Sequence, residues 1–412
     1  MNTILLIPTG ESVGLTSACL GMIYALDCKG INAGFLKPFS QITETTVDRT
    51  TTLYRHLFQH SSVEPIAYER LNHLIGLGEI DELLEEAVAL HRKIAAEHDV
   101  IIVEGLVPNA QDHFAIEMNA ALAQALDAQV VLVSIADLAD PRKTAEKIDA
   151  HLRQFGGAAA ARTTGVLFMR TKGLPEGTAE IPVTLDPSLR LVEKLADFTL
   201  ELQRYNHFIG TEDLPILGLV PFSNILSVPR SLDIAEIING TWLHQGEAKQ
   251  RRILHTSLIA SNIEFELHKF VAGELIISPA QRTDALLAAS LASSNGTPLA
   301  GLVLTEQSTP ADHVLAFCQS AIKQGLPILH TQLDTLETAQ RLAQFGNEIP
   351  IDDTERAEQV TRFVSSHIDH TWLDQHTQNN VHPRLSPSAF RYELVQKSIA
   401  AKKRIVLPEG DE

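Results

Sequence analysis

Short apolar runs alternate with helical patterns through the first half of the chain. The runs are continuous and rich in Val and Ile, as in strands that are covered on both faces. They are Ile4–Ile7, Gly34–Leu36, Val100–Val103, Val130–Val133, Val166–Phe168 and Ile216–Val220. Between them, the segment from Glu79 to Ala95 gathers its apolar residues on one stripe opposite acidic residues, which predicts a helix. Strands that alternate with helices predict an α/β fold with a doubly wound, mainly parallel sheet.

The pattern changes near residue 225, where Pro229 and the pair Asn239-Gly240 interrupt it. A second series of apolar runs and helical patterns follows, and it predicts a second, smaller α/β domain. The predicted strands are Leu275–Ile277, Leu302–Leu304 and Ile328–Leu329, and the predicted helices are Asp284–Ser293, Asp312–Lys323 and Thr354–Ile368.

The segment 374–387 is polar, contains proline and lacks core periodicity, so it predicts a linker. A helical pattern from Ser388 to Ala401 and a strand-like run, Arg404–Leu407, come after it. These boundaries predict domains at residues 1–225 and 226–372, a linker at 373–387, and the start of a further domain at 388–412.

Composition narrows the possible partners and the compartment. The chain has 51 acidic and 33 basic residues and a net charge of −18, which argues against nucleic acid and anionic membranes. No apolar run reaches the length of a membrane span, and the N-terminus lacks the basic region of a secretory signal. Cys19, Cys28 and Cys318 have no paired or metal-ligand spacing, which suits a reducing compartment. We therefore expect a cytoplasmic protein.

The loop from Pro8 to Thr16 follows the first strand and opens a helix. A phosphate-binding loop of the P-loop type needs small residues, because backbone N–H groups must approach the anion at the helix N-terminus. The residues that meet this need are Gly10, Ser12 and Gly14, with Thr16 as a hydroxyl that could hold Mg²⁺. Leu15, however, occupies the position of the usual lysine. The pattern therefore predicts either a nucleotide- or effector-binding loop or a plain tight turn.

Three charged residues are predicted at the carboxyl edge of the first sheet, where ligands bind in open α/β folds. Lys37 follows the second strand, Glu104 ends the third, and Asp48 follows a polar stretch. Each alone is most simply a solvated charge at a strand end. Together, beside the loop, they favour a nucleotide or effector site in which Asp48, Glu104 and Thr16 would hold any bound Mg²⁺.

Two charged residues follow a predicted strand of the second domain. Arg282 and Asp284 come just after ELIISPA and could face a ligand, although capping of the next helix is the favoured interpretation of Asp284. His367, His370 and His376 lie near one another, but their spacing matches no zinc pattern.

Several segments resemble a known family. PTGESVGLT at 8–16, LKP at 36–38, VEG at 103–105 and LGLVP at 217–221 resemble the dethiobiotin synthetase-type ATP-binding domain. Residues 226–350, above all ISPAQRTDALLAA and GLVLTEQ, are similar to the DRTGG-type domain. Residues 384–412, ending in LPEGDE, resemble the opening of the phosphate acetyltransferase catalytic domain. This order is that of the long, multidomain bacterial phosphate acetyltransferases.

The resemblance implies a parent enzyme that moves an acetyl group between coenzyme A and inorganic phosphate, with acetyl-CoA and CoA as substrates and no prosthetic group. It also implies front domains that respond to small metabolites, with NADH, ATP, pyruvate and phosphoenolpyruvate as candidates. These domains would support a homo-oligomer, often a hexamer. Because the family keeps its catalytic residues beyond PEGDE, we expect none in this chain and no activity from it alone.

The chain departs from the pattern of its relatives at several positions. Leu15 replaces the lysine of dethiobiotin synthetases, which removes a charge that would stabilise a transferring phosphoryl group. Met169-Arg170 stands where relatives often present Asn-Lys near the adenine, Gln281 replaces an aspartate, and Glu306-Gln307 replaces a glycine pair. Two alternatives stay open: an ATP-dependent ligase of the dethiobiotin synthetase class, and a non-catalytic module that senses a nucleotide or metabolite.

Overall fold

A computed structural model describes residues 2–42, 47–109, 112–155, 163–172, 188–223, 225–344 and 348–377, together with Tyr392 and Val395. The predicted strand Arg404–Leu407 and all but those two positions of the predicted helix Ser388–Ala401 lie outside the described residues. The chain forms two compact units. The first contains the described residues up to Ser223 and those from Ile351 onward, and the second extends from Ile225 to Pro350.

The first unit is built on a six-stranded parallel sheet with the order β2-β3-β1-β4-β5-β6. Its strands are β1 Asn2–Pro8, β2 Ala33–Leu36, β3 Val100–Glu104, β4 Gln129–Asp137, β5 Thr163–Lys172 and β6 Ile216–Pro221. Each predicted apolar run lies within one of them. Helices cover both faces of a doubly wound sheet, which explains why the strands read as continuous apolar runs. The predicted fold class is confirmed.

The helices of this part are α1 Leu15–Asp27, α2 Arg49–Phe58, α3 Tyr68–Leu77, α4 Ile80–Ala95, α5 Ala115–Ala125, α6 Pro141–Gln154 and α7 Ser188–Gln203. Helix α4 is the one predicted from its apolar stripe. Leu83, Leu84, Ala87 and Val88 on that stripe are buried, whereas Ile80 in the first turn is exposed.

The second unit contains a mixed sheet with the order β7-β11-β10-β9-β8, in which only β7 is antiparallel. Its strands are β7 Thr241–His244, β8 His255–Leu258, β9 Glu274–Pro279, β10 Gly301–Thr305 and β11 Ile328–His330. The three predicted strands are β9, β10 and β11. The edge strands β7 and β8 escaped prediction because their residues are polar or only half buried, so they form no continuous apolar run.

The helices of the second unit lie on both faces of its sheet. They are α8 Ile234–Ile237, α9 Ile263–Glu266, α10 Thr283–Ser294, α11 Asp312–Phe317, α12 Gln319–Lys323 and α13 Thr335–Ala343. One core lies between the sheet and α9–α12, and the other between the sheet and the pair α8 and α13. The helix predicted over Asp312–Lys323 is divided in two at Cys318. Three short 3₁₀ segments, Ile225–Ser227, Ser231–Asp233 and Leu267–Lys269, complete the unit.

The chain then returns to the first unit through α14 Thr354–Ser365 and α15 His370–Thr377, which we call the C-terminal return. The predicted boundaries differ here, since they assign α14 to a second domain at 226–372 and start a linker at 373, inside α15. The physical reason is close packing: α14 lies against α1 at Gly21, where a Cβ atom would collide with Val364. Trp372 and Leu373 are buried.

Within the described ranges, none of the helices is long and apolar enough to span a bilayer.

Candidate functional site

Three of the predicted charged residues meet at the carboxyl edge of the first sheet. Lys37 Nζ lies 2.8 Å from Asp48 Oδ2 and 3.2 Å from Glu104 Oε1. The side chains of Asp48 and Glu104 are almost completely buried, and that of Lys37 is 13% exposed. We call Lys37, Asp48 and Glu104, with the hydroxyls of Thr16 and Thr50, the charged cluster.

The local fold explains why these residues converge. Strands β2 and β3 are parallel neighbours, so the residues that follow and end them, Lys37 and Glu104, emerge at the same edge. Asp48 is the N-cap of α2, where its Oδ1 accepts a hydrogen bond from the backbone N–H of Thr51 at 2.9 Å. Its second carboxylate oxygen remains available to Lys37.

Two hydroxyls complete the cluster. Thr16 Oγ1, in the first turn of α1, donates to Glu104 Oε2 at 3.4 Å and lies 3.1 Å from Thr50 Oγ1. Thr50 donates to Glu104 Oε1 at 3.3 Å. Sequence reasoning selected Thr16 but missed Thr50. The sequence did contain a signal for Thr50, because an aspartate at position 48 that caps α2 places Thr50 in the first turn of that helix, at the same edge of the sheet.

Burial and pairing set the protonation of the cluster. Burial by itself would lower the pKa of Lys37, but the negative charges of Glu104 and Asp48 outweigh it and raise that pKa above its ordinary value. Burial would likewise raise the pKa of Asp48, yet the charge of Lys37 and hydrogen bonds from Lys37 and Thr51 hold it below the usual range. The raised pKa of Lys37 and the lowered pKa of Asp48 therefore keep this pair ionised near neutral pH. Burial and the charge of Glu104 raise the pKa of the neighbouring Cys19 thiol, which stays protonated.

The loop before α1 has the backbone of an anion-binding turn but lacks its cation. Ser12 and Gly14 adopt left-handed conformations, with φ of 55° and 86°. Gly14 is the N-cap of α1 and no side chain caps the helix, so the first backbone N–H groups of α1 point to the loop without a side-chain acceptor. A Cβ atom on Gly10 would meet nothing within 4 Å. Leu15 is 6% exposed and belongs to the core, so it cannot reach a ligand.

An arginine from another strand reaches this loop. Arg170, near the end of β5, donates from Nη1 to the carbonyl oxygen of Ser12 at 2.9 Å. Its guanidinium lies 5.2 Å from the ring centroid of Phe222, in a cation–π arrangement. From the sequence, Arg170 counted only as a departure from the Asn-Lys of relatives. The structure makes it the cation beside the loop that lacks its lysine.

The charged cluster offers the hard oxygen ligands that Mg²⁺ prefers, from Thr16, Asp48 and Glu104. Lys37 Nζ, however, already lies between the two acidic groups and offsets part of the negative charge that would attract a cation. Across the described part of the chain, no group of three or more His, Cys, Asp or Glu side chains could hold a metal ion. The arrangement therefore fits Mg²⁺ only if Lys37 withdraws.

The candidates in the second unit bind each other. Arg282 donates to both carboxylate oxygens of Asp284 at 2.8 Å and to the carbonyl oxygen of Ser261 at 2.9 Å. Arg282, not Asp284, is the N-cap of α10, and it makes no side-chain capping bond. The capping interpretation of Asp284 is therefore wrong in position, because this residue lies inside the first turn, where its charge favours the helix dipole.

Comparison with known proteins identifies similar chains. A family model described as "AAA domain" matches residues 2–230, and one described as "DRTGG domain" matches residues 233–345. Phosphate acetyltransferase of Acinetobacter baylyi is 73% identical over 412 residues, covering 100% of this chain and 57% of the relative. The enzymes of that name from Pseudomonas putida and Escherichia coli are 35% and 34% identical, covering 100% and 99% of this chain and 57% of each relative. These matches confirm the resemblance to a part of phosphate acetyltransferases, and the chain spans little more than half of their length.

Solved structures superpose poorly on the chain. The CBS and DRTGG domains of Clostridium perfringens pyrophosphatase match with 16% identity and a TM-score of 0.24, covering 33% of this chain and 60% of that one. The MinC:MinD cell division complex of Aquifex aeolicus matches with 13% identity and a TM-score of 0.29, covering 57% of this chain and 84% of that one. Scores this low carry no argument about the site.

Proposed function

The chain belongs to the AAA domain family, and from that premise we propose that it forms the regulatory and assembly portion of a phosphate acetyltransferase. The whole protein would interconvert acetyl-CoA plus phosphate with acetyl phosphate plus CoA, in the cytoplasm. The observation that carries the proposal is the 73% identity to the Acinetobacter baylyi enzyme over the entire chain. This portion would assemble as a homo-oligomer and bind a small anionic metabolite without converting it.

The geometry of the loop and the charged cluster supports binding rather than turnover. Phosphoryl transfer needs cations aimed at the charge that develops in the transition state. Here Leu15 is in the core and Lys37 is held between two carboxylates, so neither supplies that charge. Arg170 and the first N–H groups of α1 remain as donors for an anion at the loop.

An activity measurement tests the catalytic part of the proposal. We expect no acetyl phosphate from acetyl-CoA and phosphate with the 412-residue chain alone. A chimera in which this chain replaces the matching segment of the Acinetobacter baylyi enzyme should be active and should respond to added NADH, ATP, pyruvate or phosphoenolpyruvate. Robust acetyl transfer by the chain alone would contradict the proposal, as would a chimera that ignores every one of these metabolites.

Calorimetry tests the binding part. NADH, ATP, pyruvate and phosphoenolpyruvate are titrated into the chain, and we expect heat from at least one of them. Arg170→Gln should abolish that heat, whereas Arg142→Gln, which removes an exposed arginine from α6, should preserve it. Heat that survives in Arg170→Gln would place the ligand elsewhere, and no heat from any of the four would favour a purely structural scaffold. Phosphate release from ATP that disappears in Glu104→Gln would instead favour a ligase.

A further inference from the structure

Tyr392 lies against the first unit, although it follows the predicted linker. Its side chain is half buried and packs on the apolar core of that unit. The guanidinium of Arg92, in the last turn of α4, lies 5.4 Å from the centroid of the tyrosine ring, in a cation–π arrangement. Val395 is also helical and half buried. A segment that the sequence assigns to a further domain therefore contacts the first unit at a defined place.

The spacing of Tyr392 and Val395 is that of one helix face. The two residues are three positions apart, and side chains at i and i+3 of a helix are neighbours on its surface. In the sequence, an apolar residue recurs at Ile399, four positions after Val395, so the predicted helix Ser388–Ala401 carries an apolar stripe. An amphipathic helix binds by laying such a stripe on a complementary apolar surface. Tyr392 belongs to this stripe and is the residue that meets the core of the first unit.

Charge favours the same contact. The chain has a net charge of −18, yet residues 388–404 contain five basic side chains and one acidic side chain. The first two turns of α4 carry four acidic residues, Asp81, Glu82, Glu85 and Glu86. Arg70 pairs with Glu82 and Glu86 and offsets one of these charges, so this part of α4 stays negative. The acidic helix therefore attracts the basic segment and would repel the same helix of a second copy.

We propose that the Arg92 side of α4 is the docking surface for the helix that opens the catalytic domain, with Tyr392 as the anchoring side chain. The occupant is the segment 388–401 of the same chain. The proposal takes the identity of the catalytic domain from the proposed function and goes beyond it, because it states where the front portion of the protein holds the catalytic part.

The docking surface is connected to the charged cluster through packed elements. Helix α4 contacts β2 and β3, the strands that lead to Lys37 and Glu104. The contact with β2 is close, since a Cβ atom on Gly34 would lie 2.7 Å from the side chain of Ile94 in α4. The docked helix and the candidate ligand site are therefore held by the same helix and strands.

Native-state proteolysis of the 412-residue chain measures the anchor. Trypsin cleaves the bond after Lys397 only when the segment opens locally, and the cleavage rate follows the population of the open form. Arg92→Met and Tyr392→Leu should each speed this cleavage about three- to tenfold, because either substitution removes the cation–π contact. Tyr392→Phe keeps the ring and should change the rate by less than about twofold. Circular dichroism checks that every variant is folded.

The double variant shows whether the two residues act on one contact. Arg92→Met combined with Tyr392→Leu should be cleaved more slowly than the product of the two single effects, because the contact can be lost only once. Arg142→Met, which removes an exposed arginine from α6, is the matched control and should leave the rate unchanged. Unchanged cleavage in both single variants, or single effects that simply multiply in the double variant, would overturn the proposal.

Cross-linking separates failure of the docking surface from failure of the proposed function. In a Cys28→Ser background, which removes the exposed cysteine, a short bismaleimide should link Arg92→Cys to Tyr392→Cys within one chain. The link should form in the 412-residue chain and in the chimera with the Acinetobacter baylyi enzyme, whereas Arg142→Cys with Tyr392→Cys should give none. No link in the chimera, or a link that joins two chains, would overturn the docking surface even if acetyl transfer is normal. A chimera that links but transfers no acetyl group would contradict the proposed function and leave the docking of the segment standing.

Discussion

The charged cluster and the C-terminal return lie in the same unit and use the same two helices, yet their chemistry differs. Helix α1 carries Thr16 of the cluster in its first turn and packs against α14 of the return at Gly21. Helix α2 carries Thr50 and also contacts α14. The cluster brings three buried ionisable side chains together, whereas the return buries Arg356 but meets α1 through an apolar contact between Val364 and Gly21.

From this difference we interpret the charged cluster as a binding feature and the return as a feature that stabilises the first unit. Burying charges contributes little net stability even when they are paired, so a protein gains little from the cluster unless it serves another purpose. The return also buries Arg356 of α14, but its packing includes Val364 against Gly21, and Trp372 Nε1 donates to the carbonyl oxygen of Thr164 at 3.0 Å. Since α1 and α2 belong to both regions, a ligand at the loop would act on helices that hold the return.

The largest effect is expected when the cluster loses its cation. Lys37→Met leaves the buried carboxyl groups of Asp48 and Glu104 without their cation, and this should lower the free energy of unfolding by about 3–5 kcal/mol. Urea unfolding measures it. The control on the return is Lys29→Met, which removes an ion pair with Asp374 whose carboxylate is 60% exposed and should cost about 0–1 kcal/mol. Equal losses from the two substitutions would erase the distinction between the regions.

A smaller loss of stability is expected when a substitution disturbs the packing of the return against α1. Gly21→Ala places a methyl group where Val364 lies, and overpacking of this kind costs about 1–3 kcal/mol. Adding Val364→Ala should restore part of the loss. Gly76→Ala in α3 is the control, because nothing lies within 4 Å of its Cβ position and helix propensity should stabilise it by about 0.5–1 kcal/mol. If both glycine substitutions stabilise the protein, the tight packing of the return is refuted. Thermal unfolding provides the measurement.

A loss of about 1 kcal/mol is expected from Trp372→Phe, which keeps a buried ring but removes the hydrogen bond to Thr164. The other tryptophan, Trp242 in β7, is only partly buried and supplies the comparison. Trp242→Phe should change the free energy of unfolding by less than Trp372→Phe. The reverse order would mean that the return contributes no more than a strand edge of the second unit.

The smallest effect on the free energy of unfolding is expected when the pH is lowered from 7 to 4. The pKa of Asp48 is lower in the folded state than in the unfolded chain, so its contribution is present above the unfolded pKa of about 3.9 and is lost as pH falls through the folded pKa. Between pH 7 and pH 4 the loss due to Asp48 should be about 0.3 kcal/mol. It is measured as the difference in pH dependence between wild type and Asp48→Asn. A variant that loses as much stability as wild type over this range would show that Asp48 is not held ionised by Lys37.

The sequence predicts most of the helices and strands, but not every contact between side chains at the site. Strands β1 to β6 and β9 to β11 were predictable because strands buried on both faces must be apolar at nearly every position. The edge strands β7 and β8 carry polar, half-exposed residues and leave no such signal. At the site, Lys37, Asp48 and Glu104 could be assigned to one edge from their places after strands and before a helix. Their ion pairing, and the approach of Arg170 to Ser12, could not.

By itself, the sequence determined the α/β class, the carboxyl-edge location of the candidate residues, the missing lysine at Leu15 and the family resemblance. These features depend on local patterns. The periodicity of apolar residues indicates which positions are buried, and charged residues placed just after strands indicate a candidate site. Only the tertiary structure decided that α14 belongs to the first unit and that Lys37 lies between the carboxyl groups of Asp48 and Glu104. The physical reason is that a pattern states that a side chain is buried but not against what. Gly21 and Val364 are separated by most of the chain, and only folding brings them into contact.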